Sequence, residues 1–260
     1  MTENTAVKRV TAFVGSPRKK YTYDAVREFL ERVEALGGVE SEIVMLSDYR
    51  IESCRGCKLC FVRGEEFCPR KDDRDVLIEK MMASDGVVFA SPNYSFQVSG
   101  IMKTFLDRLG FVFHRPRFHG KTFTSIVVQG IHGGGKIVKY LSFVGMGLGF
   151  KVVKGSCSTA FEPMTEKEQQ KRDKALARQC KRFHAQLSKP AGRVPSLFEL
   201  FIFRYARTSI RLTLDDGNLD YRYYSEHGWF DSDYYYPTRL GVLKRTAGNL
   251  FDWIFTRKYR

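Results

Sequence analysis

Short apolar runs alternate with longer amphipathic ones through the first 190 residues. Residues 8–14 (KRVTAFV), 41–46 (SEIVML), 86–90 (GVVFA), 122–128 (TFTSIVV) and 150–157 read as five buried strands. Between them the apolar period lengthens to that of helices. One helix is expected from about Asp24 to Leu36, where Gly37-Gly38 stops it. A second follows Asp72 and Asp73, which suit a helix N-terminus, with Val76, Ile78, Met81 and Met82 along it. Residues 98–113 place Ile101, Phe105, Leu106 and Leu109 on one face, and another helix covers about 135–147. The last, about 165–188, repeats Leu176, Cys180, Phe183 and Leu187 at helical spacing. Strands separated by helices imply a parallel sheet covered on both faces, with its ligand site at the carboxyl ends of the strands.

The pattern changes after Pro190. Residues 191–260 hold 16 of the 36 aromatic residues. Ser196 and Glu199 form a capping-box pattern before an apolar helix of about 197–213. A tyrosine-rich stretch and a final amphipathic helix, about Val242 to Phe255, complete the chain. Arg204, Arg207 and Arg211 fall on one stripe of the first of these helices. Two basic amphipathic helices joined by an aromatic segment suit a subunit interface or an anionic membrane surface. The eight acidic residues of the tail favour the interface. The expected division is therefore a domain of residues 1–190, carrying a cysteine loop at 54–68, and an oligomerisation arm of residues 191–260.

Composition narrows the class. The chain has 260 residues, 43% hydrophobic and 28% charged, which is ordinary for a globular protein. No apolar run approaches the ~20 residues that span a bilayer. The N-terminal MTENTAVKRV has no apolar core of a signal peptide, so a cytoplasmic protein is expected. A net charge of +14 favours anionic ligands or surfaces, but no nucleic-acid-binding motif accompanies it.

Gly15-Ser16-Pro17-Arg18-Lys19-Lys20-Tyr21-Thr22 joins the first strand to the first helix. A phosphate monoester needs several donors converging on one anion. This loop offers the Ser16 and Thr22 hydroxyls, backbone N–H groups, a helix N-terminus and the charges of Arg18 and Lys20. It lacks the glycine patterns of a P-loop or a dinucleotide fold.

The cysteines are Cys54, Cys57, Cys60, Cys68, Cys157 and Cys180. The first four form C-x2-C-x2-C-x7-C. Three chemistries suit that spacing: a [4Fe–4S] cluster, a zinc site or a bare thiol cluster. Cys157 and Cys180 read as packed core thiols.

Taken together, these motifs resemble the flavodoxin-like NAD(P)H-dependent FMN reductases, and in particular their iron–sulfur flavoprotein branch. GSPRKK resembles the family's FMN-phosphate loop. The cysteine motif followed by Asp72-Asp73, Ser91-Pro92-Asn93-Tyr94 after the third strand, and the 102–108 helix (MKTFLDR) resemble further family signatures. One departure is Tyr21-Thr22-Tyr23, where relatives carry Gly-Asn-Thr. The resemblance covers about residues 1–190. It implies a doubly wound α/β fold with five parallel strands in the order 2-1-3-4-5, extended here by the aromatic-rich, mainly helical tail. It also implies that Pro92, Asn93, Tyr94, Ser95 and Phe96 line an isoalloxazine slot, with Gly130, His132 and Gly133 by the pyrimidine side. The cofactor expected is FMN, reduced by NAD(P)H, with no catalytic residue beyond the flavin itself. The acceptor is then a quinone, flavin or similar small molecule, and the assembly a homo-oligomer. The alternative within the family passes electrons between ferredoxin, a [4Fe–4S] cluster on the four cysteines, and FMN. A different class would be a non-catalytic thiol or metal redox sensor.

Overall fold

The computed structural model describes residues 7–160, 165–189 and 192–259. The chain divides into two compact units. The first comprises residues 1–54, 72–110 and 117–189, and the second 55–71, 111–116 and 190–260. The cysteine loop therefore falls mostly in the second unit. The boundary expected at Pro190 lies outside the described residues.

In the first unit, β1 (Lys8–Val14), β2 (Val39–Met45), β3 (Gly86–Pro92) and β4 (Thr122–Gln129) are parallel neighbours in the order β2-β1-β3-β4. The edge beyond β4 is filled by β5 (Lys151–Val152) and β6 (Ser156–Thr159), giving the expected order 2-1-3-4-5. The fifth strand expected over 150–157 is thus interrupted. Gly155 explains the break: a Cβ there would lie 2.3 Å from the Ser125 carbonyl oxygen. That carbonyl is instead satisfied by a side chain. Gln179 Nε2 donates to Ser125 O at 3.1 Å and to Thr124 Oγ1 at 2.9 Å.

One face of the sheet is covered by α1 (Tyr21–Glu34) and α6 (Glu166–Leu187). Val26, Phe29, Leu30 and Val33 of α1 meet Leu176, Cys180, Phe183 and Leu187 of α6 over Val10, Ala12 and Val88. The other side of β1 and β3 buries Phe13 and Phe89, whose rings meet Phe105. Phe105 belongs to α4 (Gly100–Arg108), and the chain passes from α4 into a tight 3-10 turn at Gly110–Phe113. The 98–113 helix expected from sequence is therefore shorter. The remaining helices of this unit are α3 (Arg74–Ala83) and α5 (Gly134–Gly147).

The second unit contains α2 (Leu59–Val62), α7 (Leu197–Thr213), α8 (Leu219–Glu226) and α9 (Val242–Tyr259). Ser196 and Glu199 make the expected capping box at α7. Helix α8, capped by Asn218, lies in the tyrosine-rich stretch and carries no period that announces it. Helices α7 and α8 and the segment after α8 build a core of their own: Leu200, Phe203, Ile210, Tyr224, Trp229, Phe230, Tyr234 and Leu240. Within the unit, Arg204 and Arg207 of the arginine stripe are turned inward, whereas Arg211 is exposed. Arg204 is buried and donates to Asp252 at 2.6 Å and Asp233 at 2.5 Å. Arg207 pairs with Asp252 at 2.6 Å. No helix among the described residues is long and apolar enough to cross a membrane.

Candidate functional site

Three loops leave the carboxyl ends of β1, β3 and β4, where a parallel sheet presents its ligand site. The first starts at Gly15, whose N–H donates to Ala90 O at 2.8 Å. Ser99 Oγ donates to Gly15 O at 2.5 Å. A Cβ on residue 15 would stand 2.7 Å from Met102 Cβ, so only glycine lets the loop run this close to α4. Ser16 is buried; its hydroxyl donates to Arg18 O at 3.0 Å and accepts from Arg18 N at 3.3 Å, closing a tight turn. Arg18 and Lys20 are exposed, and Thr22 is buried on the first turn of α1. Among the described residues, the N–H groups of Lys19, Lys20, Tyr21 and Thr22 find no acceptor. A helix start with free donors and adjacent cations is a site for an anion.

The second loop leaves β3 through buried Ser91 and Pro92. Ser91 Oγ accepts from Ser99 N at 2.9 Å, and the Ser99 hydroxyl accepts from Met102 N to cap α4. Tyr94 and Gln97 exchange backbone bonds of 3.0 and 2.9 Å across a two-residue turn. The turn places Ser95 at φ 49° and Phe96 at φ 64°, both left-handed. Two non-glycine residues in that region cost on the order of 1–2 kcal/mol each. The result is that the Tyr94 and Phe96 rings stand exposed at the loop tip.

The third loop is locked to the second. Asn93 N donates to Val128 O at 2.7 Å, and Asn93 Nδ2 donates to His132 O at 2.8 Å. The Phe96 and His132 rings lie 5.2 Å apart. Gly133 adopts φ 93°, and a Cβ there would come within 2.7 Å of the Phe96 ring. Gln129 ties the loop base, accepting from Gly134 N at 2.7 Å and donating to Thr159 Oγ1 at 3.3 Å. Asn93 Oδ1, by contrast, is buried with no partner among the described residues. An unsatisfied buried acceptor costs about 1–3 kcal/mol.

The sequence-derived candidates therefore fall in two groups. Asn93, Phe96, His132 and Gly133 are in mutual contact, with Pro92, Tyr94, Ser95 and Gly130 on the same two loops. Ser16, Arg18, Lys20 and Thr22 occupy the first loop, whose base is tied to the second through Ser91 and Ser99. Ser99 and Gln129 are not among the candidates. The only sequence signal for Ser99 is a serine before Gly100, an N-cap position. Gln129 has none, because its partners are set by the loop's path.

Asp72 and Asp73 do more than begin a helix. Asp73 Oδ2 accepts from Arg50 N at 2.7 Å, and Asp72 Oδ2 accepts from Glu52 N at 2.8 Å. The two carboxylates thus hold residues 50–52 beside 72–73, fixing both ends of the cysteine-bearing segment. Asp72 also pairs with buried Arg108 at 2.9 Å. Burial alone would raise the Asp72 pKa. The Arg108 hydrogen bond and charge, with the N–H groups of Glu52 and Arg74, outweigh it and hold the carboxyl below its ordinary 3.8.

Of the cysteines, Cys54 and Cys57 are exposed, Cys60 is half-buried on α2 and Cys68 is buried. None of the six is in a disulfide. Gly56 and Lys58 take left-handed φ values of 65° and 62°, so the backbone curls between the thiols. Four thiols on a curled loop match the donor chemistry of a cluster. The described residues nevertheless contain no group of three His, Cys, Asp or Glu arranged to hold a metal ion. Within the second unit the loop is anchored by Arg115, which donates to Cys60 O and to Glu65 at 2.8 Å and pairs with Asp220. Elsewhere, Cys180 is a core thiol, and burial pushes the half-buried Cys157 thiol up to about 11.

Comparison with known proteins decides the family. Residues 8–162 match the NADPH-dependent FMN reductases. The chain belongs to that family. Two iron–sulfur flavoproteins of Archaeoglobus fulgidus are 34% and 35% identical over 142 and 161 residues. These alignments cover 54% and 56% of this chain, and 69% and 70% of the relatives, so the FMN reductase domain is of the iron–sulfur flavoprotein branch. An NAD(P)H:quinone oxidoreductase from Methanothermobacter marburgensis has the same fold. It superposes with a TM-score of 0.53 at 19% identity, over 69% of this chain and 96% of that one. As a member of this family the protein is an FMN-dependent oxidoreductase with a reduced nicotinamide as donor. The family match ends at residue 162, so α7, α8 and α9 lie outside it.

Proposed function

We propose that the three loops hold FMN and that the protein transfers electrons from NAD(P)H to a small-molecule acceptor of the quinone or flavin type. The observation that carries this reading is the pairing of two binding features on adjacent loops. One is a helix start with free N–H groups and two exposed cations, suited to a single phosphate. The other is a strained aromatic loop with one orphaned amide oxygen, suited to a planar ring. Bound FMN supplies the redox chemistry, accepting a hydride and releasing electrons singly or in pairs. The protein's part is binding and orientation. Arg18 and Lys20 neutralise the phosphate, and the Ser16 turn fixes the loop that presents it. Asn93 Oδ1 would be free to accept a hydrogen bond from a donor of the ring. Tyr94 and Phe96 supply an apolar wall, and Gly133 keeps the facing loop thin. His132 offers an electropositive neighbour to that edge.

Arg18→Ala tests the phosphate loop. Losing one charge-assisted contact of about 1.5–3 kcal/mol is expected to weaken FMN binding roughly 10- to 150-fold. Arg18 is exposed, so the fold should be unaffected. Unchanged affinity by fluorescence titration would remove Arg18 from the site.

A second reading adds an iron–sulfur cluster on Cys54, Cys57, Cys60 and Cys68. It is supported by the left-handed backbone at Gly56 and Lys58 between the thiols, and by the likeness to the Archaeoglobus iron–sulfur flavoproteins. Protein purified without oxygen should carry about four irons per chain, and Cys57→Ser should lose them while keeping FMN. Iron-free protein under the same conditions would set this reading aside.

A further inference from the structure

Helix α9 presents an apolar face to solvent. Leu243, Leu250 and Ile254 recur at positions i, i+7 and i+11, with Trp253 beside them. Leu243 is 87% exposed, Leu250 52% and Trp253 54%. The opposite face is the packed one. Phe255 meets Phe201 and Tyr205 of α7 at 5.2 and 5.1 Å, and Asp252 is held by Arg204 and Arg207. The outward apolar stripe is therefore not the side that builds this unit's core. A helix with its larger hydrophobics turned to water is covered by something.

The charges around the stripe identify the cover. Arg257 and Lys258 flank it, both exposed, and Arg257 lies 4.1 Å over the Trp253 ring. The one carboxylate on α9, Asp252, is already neutralised by two arginines. A second copy docking through this face would set these cations against their own equivalents, a repulsive arrangement. An anionic bilayer satisfies both features at once. Its interface accepts Leu, Ile and Trp side chains, and its phosphates accept the cations.

We infer that α9 is a peripheral membrane-binding helix, lying in the surface of an anionic phospholipid bilayer with Leu243, Leu250, Trp253 and Ile254 inserted. This goes beyond the redox activity and does not depend on it. The stripe holds the only exposed tryptophan; the other, Trp229, is buried.

The full-length protein is mixed with vesicles of phosphatidylcholine alone, or of phosphatidylcholine with phosphatidylglycerol, and sedimented. Binding to the phosphatidylglycerol vesicles is expected, with a blue shift of tryptophan emission that disappears in Trp253→Phe. Leu250→Glu/Ile254→Glu should weaken binding at least tenfold. Arg257→Gln should weaken it about fivefold and reduce its salt dependence. All four positions are exposed, so these chains fold, and unchanged FMN affinity and circular dichroism verify it. Two results would overturn the inference. One is no sedimentation with anionic vesicles. The other is a dimer in light scattering that Leu250→Glu/Ile254→Glu dissolves, which would make the face a contact between two copies.

Discussion

Arg115→Leu is expected to destabilise the second compact unit by about 3–5 kcal/mol, a large share of a domain's stability. Arg115 is 1% exposed and Asp220 2%, and the pair is closed on the far side by Glu65. His114 Nδ1 also lies 2.6 Å from Asp220. Removing the guanidinium strands a buried carboxylate and frees the Cys60 carbonyl, which the arginine also binds. Leucine returns some apolar burial but cannot satisfy either oxygen. Urea unfolding followed by tryptophan fluorescence reads this well, because Trp229 packs 4.9 Å from Tyr224 on the helix that carries Asp220. The midpoint should fall steeply. Arg115→Leu/Asp220→Leu should recover part of the loss, since the stranded charge is then gone. An unchanged midpoint in Arg115→Leu would mean that the network is ornamental.

Arg108→Leu should cost the first unit a similar loss of about 3–5 kcal/mol. Asp72 would remain buried with only backbone donors, from Glu52 and Arg74. Because Asp72 and Asp73 clamp residues 50–52, the loss should be felt at the cysteine segment as well. Hydrogen exchange over residues 50–54 and 72–76 should quicken more than over β1 or β3. The pH dependence has a definite sign. Asp72 has a folded pKa below its ordinary 3.8. Its contribution is therefore complete above that ordinary value and is lost as pH falls through the folded one. Asp72→Asn should flatten this part of the acid unfolding curve. Exchange at 50–54 that matches the wild type would contradict the clamp.

Sequence pattern captures most of the frame for a physical reason. Strands buried on both faces carry apolar stretches without alternation, as Ala12–Val14 in β1, Val87–Ala90 in β3 and Ile126–Val128 in β4 are. Helix starts are legible where local chemistry marks them, as at Ser196 and Glu199. What escapes depends on partners distant along the chain. The break between β5 and β6 depends on Gly155 approaching Ser125, and on a glutamine from α6 taking over the strand's hydrogen bond. The stripe of Arg204, Arg207 and Arg211 is visible in the sequence, but not that Asp233 and Asp252 hold Arg204 and Arg207 inside the unit. In the site, the residue types of the phosphate and ring loops are readable. The left-handed Ser95-Phe96 turn and the Ser91-Ser99-Gly15 linkage are not, because they arise from how β3 meets α4. The cysteine motif is legible as chemistry, yet its spacing does not dictate where the four thiols stand.

The most direct test of a single FMN site on the loops after β1, β3 and β4, fed by a nicotinamide, is a flavin titration. Flavin-stripped, full-length protein is titrated with FMN and with riboflavin, then given NADPH under nitrogen. One FMN per chain is expected, bound at least about tenfold more tightly than riboflavin because only FMN engages the Ser16–Thr22 loop. NADPH should then bleach the bound flavin. Equal affinity for the two flavins, or bound FMN that stays oxidised with both NADPH and NADH, would contradict such a site.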